Sequence, residues 1–228
     1  MNHELDHVEE RVLGCLIEKS ITTPDYYPLT LNALTAACNQ KSNRDPALDL
    51  DEKAVVRALD SLRNKELIRV VSGAEIRVPK YYHRFAESEE LSPPQVAVLC
   101  ELMLRGSQTV GELRGRASRM YEFPDLPSVE IVLAELANRE RGAAVTQLPR
   151  QPGRKESRYA HLFAGVPESI DEEGADHGPG PGPGPEPARV AVQAEDERLE
   201  RLESAFQELR DEVADLRAQL NTFKQQFE

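Results

Sequence analysis

The chain has 228 residues, with 28 Lys and Arg against 40 Asp and Glu, for a net charge of −12. That length allows one large domain or two small ones. A hydrophobic content of 39% suffices for a core, while 16 Pro and 13 Gly point to segments that stay outside it. The longest apolar run, residues 12–17, is interrupted by Gly14 and falls far short of the ~20 residues a membrane helix requires. No basic stretch followed by an apolar one opens the sequence, so no secretory signal is read. Cys15, Cys38 and Cys100 are odd in number and far apart, which argues against a disulfide framework or a zinc site and fits a reducing cytoplasm. No metal and no cofactor are expected.

The acidity is unevenly distributed. Residues 1–85 sum to −1, residues 86–166 to −1, and residues 167–228 to −10. Charge on a remote tail is screened beyond a Debye length of ~8 Å at physiological salt. The front two thirds must therefore be judged on its own side chains, and the overall acidity does not exclude a nucleic-acid partner.

Two segments open alike. Asp6-x-x-Glu9 and Ser92-x-x-Gln95 are capping boxes preceded by Leu5 and Leu91 in the hydrophobic-staple position. An offset of 86 then aligns Leu13 with Leu99, Leu16 with Leu102 and Ile17 with Met103, predicting helices over 6–19 and 92–105. Leu31 and Leu34 mark a short second helix, and Thr109-x-x-Glu112 caps its counterpart. Third helices repeat at an offset of 74, with Val55, Ala58, Leu59 and Leu62 matching Val129, Val132, Leu133 and Leu136. Short β-like runs follow each: 67–71 and 76–82 in the first copy, 143–148 and 158–163 in the second.

Three helices and a hairpin, used twice, predict a mainly α fold with small β hairpins (α+β). Tandem winged helix-turn-helix domains would span 1–86 and 87–165, each copy with its own small core. The run from Gly178 to Pro187 alternates Gly and Pro, which prevents either helix or sheet from propagating. An acidic disordered linker is accordingly expected over 166–193. After it, Leu199, Leu202, Phe206, Leu209, Val213, Leu216, Leu220, Phe223 and Phe227 recur at alternating steps of 3 and 4. That is the a/d seam of a coiled-coil helix over 194–228. A parallel pairing would set Arg198 against Glu203 and Glu212 against Arg217 of the partner copy, both attractive. A homodimer is the expected outcome; the alternative is that this helix folds back on its own front domains.

The strings Cys38-Asn-Gln-Lys-Ser-Asn-Arg-Asp-Pro46, Leu104-Arg-Gly-Ser-Gln-Thr-Val-Gly-Glu-Leu113, Arg119-Met-Tyr-Glu-Phe123 and Pro152-Gly-Arg-Lys-Glu-Ser-Arg-Tyr159 resemble those of the YceH-like family of uncharacterised bacterial proteins. The resemblance covers residues 3–165 and implies a tandem winged-helix fold, with no established activity or site residues to carry over.

In a winged helix the third helix can enter the major groove while the hairpin touches the backbone. The face of the first copy's third helix opposite its core carries Lys53, Arg57, Asp60, Ser61 and Asn64. The preceding loop adds Asn39, Gln40, Lys41, Asn43 and Arg44, and the hairpin adds Arg69, Arg77 and Lys80. Lys and Arg meet phosphates, and Asn, Gln and Arg can read base edges, so double-stranded DNA is a candidate partner. In the second copy, Glu130, Glu135 and Glu140 make the third helix a poor DNA face. Its basic residues lie elsewhere, at Arg114, Arg116, Arg119, Arg150, Arg154, Lys155 and Arg158. These either touch phosphate or form ion pairs with the first copy.

The expected function is therefore that of a non-enzymatic, transcription-regulator-like DNA-binding protein that self-associates. A scaffold that docks an unidentified protein is the alternative. An enzyme built on Cys38 with His83 or His161 as base finds no supporting motif. Cys15 and Cys100 read as core fillers. Tyr26, Tyr27, Pro28, Tyr121, Phe123 and Pro124 read as packed connections between helices.

Overall fold

The computed structural model describes residues 4–73, 76–150 and 156–165. The linker and the heptad helix expected beyond residue 165, and with them the oligomerisation residues from Leu199 to Phe227, lie outside the described residues.

Asp6 starts the first helix, α1 (His7–Thr22), by accepting from the Val8 and Glu9 backbone N–H groups, while Glu9 closes the box onto the Asp6 N–H at 2.8 Å. A 3₁₀ turn, Pro24–Tyr26, leads into the two-residue strand β1 (Leu29–Thr30). Thr30 then caps α2 (Leu31–Cys38), and Asp51 caps α3 (Glu52–Asn64). Strands β2 (Ile68–Gly73) and β3 (Ile76–His83) form an antiparallel hairpin, with β1 on the other side of β3 in the order β1-β3-β2. A short helix, α4 (Phe85–Ser88), covers the residue at which the two expected domains were divided.

The second copy repeats the plan. It comprises α5 (Pro93–Arg105), α6 (Val110–Ala117), α7 (Leu126–Ala137) and the hairpin β4 (Val145–Gln147) with β5 (Tyr159–His161). Gln95 accepts from the Ser92 N–H at 3.0 Å, and Thr109 and Glu112 complete the capping box of α6. Gln108 bridges Tyr159 just before the α6 cap, as β1 bridges β3 before the α2 cap. Neither β1 nor α4 was expected, because two and four residues carry too little periodicity to register.

The expectation of a separate core for each copy gives way to one continuous cluster. It runs from Leu5, Leu13 and Leu16 through Leu34, Leu59 and Leu62 to Leu99, Leu102, Leu133, Leu136 and Phe163. The reason lies in α1 and α5. Both are buried nearly all round in their central turns, from Arg11 to Glu18 and from Val96 to Leu104, so each has a second face beyond the one its own copy covers. Those second faces pack on each other. A Cβ added at Gly14 would stand 2.9 Å from Leu104 Cδ2, and the Cys100 thiol donates to the Gly14 carbonyl at 3.3 Å. Gly14 and Cys100 are equivalent positions of the repeat, 86 residues apart.

Candidate nucleic-acid interface

Arg114, Arg116 and Arg158 of the second copy are engaged within it. Arg114 donates to the carbonyls of Phe123 and Pro124, the latter at 2.9 Å. Arg116 donates to Gln108 Oε1 at 2.8 Å and pairs with Glu112. Arg158 meets Glu112 Oε2 at 2.9 Å and the Ser107 carbonyl at 3.1 Å. Arg150 is exposed in the segment after β4, and Arg154 and Lys155 lie outside the described residues. These contacts lie within the second copy; the expected ion pair with the first copy is made by Arg119.

Arg119 reaches across to Glu18 of the first copy, with which it pairs, and stands 3.6 Å from Glu101 of its own copy. Glu18 is the hub. Arg44 grips it with two nitrogens, at 3.1 and 2.6 Å, and both side chains are within 1% of full burial. Arg44 also donates to the Ala37 carbonyl. Asn43, in the left-handed region at φ 54° where Asn is tolerated, donates to Glu101 at 3.1 Å. Burial alone would raise the Glu18 carboxyl; Arg44, aided by Arg119 and Lys19, holds it below the ordinary carboxylate range. For Glu101 burial wins, and its pKa is raised against the pull of Arg119 and Asn43.

The loop 39–46 is thereby fixed and turned inward. Asn39 exchanges two 2.8 Å hydrogen bonds with the Leu50 backbone, and Gln40 accepts from Lys19 and Arg44. Only Lys41 among its expected contact residues is fully exposed. Glu18 and Glu101 went unremarked in the sequence, although Glu18 follows Arg11, Gly14 and Cys15 on one helical stripe. A charged residue on such a stripe is the available signal of a buried pair.

What stands outward is α3 and its hairpin. Val55, Ala58, Leu59 and Leu62 are buried, whereas Lys53, Arg57 and Asn64 are exposed and Ser61 is half-buried. Among the described residues, Lys53 and Arg57 have no ion-pair partner, while Asp60 is taken by Arg63 at 3.5 Å. Arg69 is exposed on β2, Lys80 is half-buried on β3, and Arg77 also belongs to β3. In the second copy, α7 turns Leu126, Ile131, Glu130 and Glu135 outward and holds no Lys or Arg, with Ile131 60% exposed.

The residues weighed for catalysis are enclosed. Cys15, Cys38 and Cys100 are fully buried, and Cys38 is pushed up by its hydrogen bond to Cys15 and by burial. Burial likewise presses His83 down to about 4, where Ser20 Oγ lies 3.0 Å from its ring. Tyr27 packs as expected and accepts from the His83 backbone N–H at 2.7 Å. Tyr26, by contrast with the packed connection expected there, is 79% exposed at the end of the 3₁₀ turn. Among the described residues no three His, Cys, Asp or Glu side chains converge as metal ligands, and no helix is long and apolar enough to cross a membrane.

Fold and surface together define a two-copy helical protein with small antiparallel sheets, one continuous core and a cationic third helix on its first copy alone. The chain belongs to the family described as "Protein of unknown function, DUF480", whose model matches residues 5–154. It is 58% identical over 228 residues to a "UPF0502 protein" of Geotalea uraniireducens, covering 100% of both chains. To the "UPF0502 protein VVA1225" of Vibrio vulnificus it is 45% identical over 226 residues, covering 97% of this chain and 99% of that one.

Proposed function

We propose that the protein is a non-enzymatic tandem winged-helix protein that binds double-stranded DNA through its first copy and self-associates through its C-terminal heptads. The observation that supports this best is the outward row of Lys53, Arg57 and Asn64 on α3, with Lys41 and Arg69 also exposed in the first copy. Two unpaired cations and an amide on one helix face suit phosphate contact with adjacent base readout. In the second copy Arg114, Arg116 and Arg158 are occupied by carbonyls and carboxylates, and α7 carries no Lys or Arg, which favours the first copy as the DNA face.

Fluorescence anisotropy on a labelled duplex tests the reading. Affinity should fall linearly on a log–log plot against salt, and Lys53→Glu with Arg57→Glu should flatten that slope by about 2, since each phosphate contact contributes ~0.9. An unchanged slope in the double variant would remove α3 from the interface. Self-association has its own measurement: the full chain should sediment as a dimer and a chain ending at residue 165 as a monomer.

A second reading, docking of a partner protein, draws on α7. Its exposed Leu126 and Ile131 between carboxylates make a surface that would repel phosphate and suit a protein.

A further inference from the structure

Lys53, Arg57, Asp60 and Asn64 recur along α3 at steps of 4, 3 and 4, and all four are exposed. They form one line on the side opposite the buried Val55, Ala58, Leu59 and Leu62. At ~1.5 Å per residue the line is about 16 Å long, the length of about five base steps. The second copy supplies a contrast. At the offset of 74 the same four places are Pro127, Ile131, Ala134 and Asn138, again all exposed. The buried positions of the two helices are apolar in both copies, so it is the outer line that differs in chemistry.

The order of charges along α3 carries information of its own. A helix that only met phosphates would be served by cations and amides, yet a carboxylate stands between Arg57 and Asn64. Arg63 approaches Asp60 at 3.5 Å, but the two side chains are 57% and 61% exposed, and pairs so open to water hold weakly. Phosphate oxygens repel a carboxylate. Base edges differ from one another: guanine offers the acceptors N7 and O6, thymine the acceptor O4, and adenine an acceptor beside its amino group. Cytosine alone presents its N4 amino donor without an adjoining acceptor in the major groove. A carboxylate therefore selects cytosine by attraction and disfavours the other bases by repulsion.

We propose that Asp60 determines which base sequence α3 accepts: its carboxylate takes an N4 amino hydrogen of a cytosine, while Arg57 donates to O6 and N7 of a nearby guanine. The two residues are three apart on the helix, ~4.5 Å along its axis, so the two bases lie within about two base pairs of each other. This assignment deepens the DNA-binding reading and rests on it.

Selection of the full chain on a random duplex library, followed by anisotropy on the enriched site, decides the matter. Enriched duplexes should share a cytosine and a guanine at most about two base pairs apart. Exchanging that cytosine's pair for T·A should weaken the wild type about fivefold or more, and the Asp60→Ala variant by less than about twofold. Asp60→Ala, an exposed substitution, should melt like the wild type and bind unselected duplex more tightly, because a negative charge has left the interface. Wild type that binds no duplex at any salt concentration would remove the DNA reading and this assignment together. Salt-dependent binding that enriches no such site, or an exchange that weakens Asp60→Ala as much as the wild type, would overturn the assignment alone.

Discussion

Arg44→Met should destabilise the protein by about 3–5 kcal/mol at pH 7.5, the cost of leaving a buried charge without its partner. Glu18 would keep weaker partners: Arg119, whose side chain is 42% exposed and shared with Glu101, Lys19 at 3.7 Å and Asn43 at 3.5 Å. The pH dependence carries a sign. In the wild type Glu18 is held below the ordinary carboxylate range, so its stabilising contribution is present at neutral pH and is lost as pH falls through its depressed pKa. Without Arg44 the carboxyl rises and takes up a proton more readily. The deficit against wild type should therefore be largest above pH 7 and shrink toward pH 4. Chemical denaturation at both ends of that range measures it. Adding Glu18→Leu should recover most of the loss, because apolar residues replace buried ion pairs at little cost. A deficit that ignores pH, or a double variant worse than the single, would show that the pair is not coupled as its 2.6 Å contact indicates.

Gly14→Leu should be comparably damaging for a different reason. Even a lone Cβ would sit 2.9 Å from Leu104 Cδ2, 3.0 Å from its Cγ and 3.4 Å from Met103 Cβ. Overpacking of this kind costs ~1–3 kcal/mol and more when a backbone must move, and here α1 and α5 would have to part. Gly14→Ala is the graded control: it gains ~0.5–1 kcal/mol of helix propensity, which offsets part of the same clash. Thermal melts should rank wild type, Ala and Leu in descending order. A Leu variant as stable as wild type would mean that the two helices slide apart freely.

Much of the architecture is legible in the sequence because it follows from local rules. The boxes at Asp6 and Thr109 close as their spacing requires, and the apolar stripe of α3 is buried at each residue named for it. What the sequence conceals is long-range. Nothing at Arg44 distinguishes a guanidinium that seeks phosphate from one that will find Glu18, 26 residues away. Arg119 meets the same carboxylate from 101 residues away. Composition counts cations, whereas partners are set by which faces the fold brings together. Hence the candidate DNA surface rests chiefly on α3, where Lys53 and Arg57 have no ion-pair partner among the described residues.

The same logic applies to α1 and α5. A seam in which a residue meets its own counterpart 86 positions on has the form of a two-fold dimer interface, here held within a single polypeptide. Covalent joining makes the contact independent of concentration and relieves the two sides of having to match. Glu18 answers to Leu104 in the alignment, and Glu101 to Cys15, so the ionic cluster that fastens the halves is one that a symmetric ancestor built from either half alone could not have contained in this form. Fusion, on this view, licensed the asymmetry that leaves Lys53 and Arg57 on the outer face of one third helix and Ile131, Glu130 and Glu135 on that of the other.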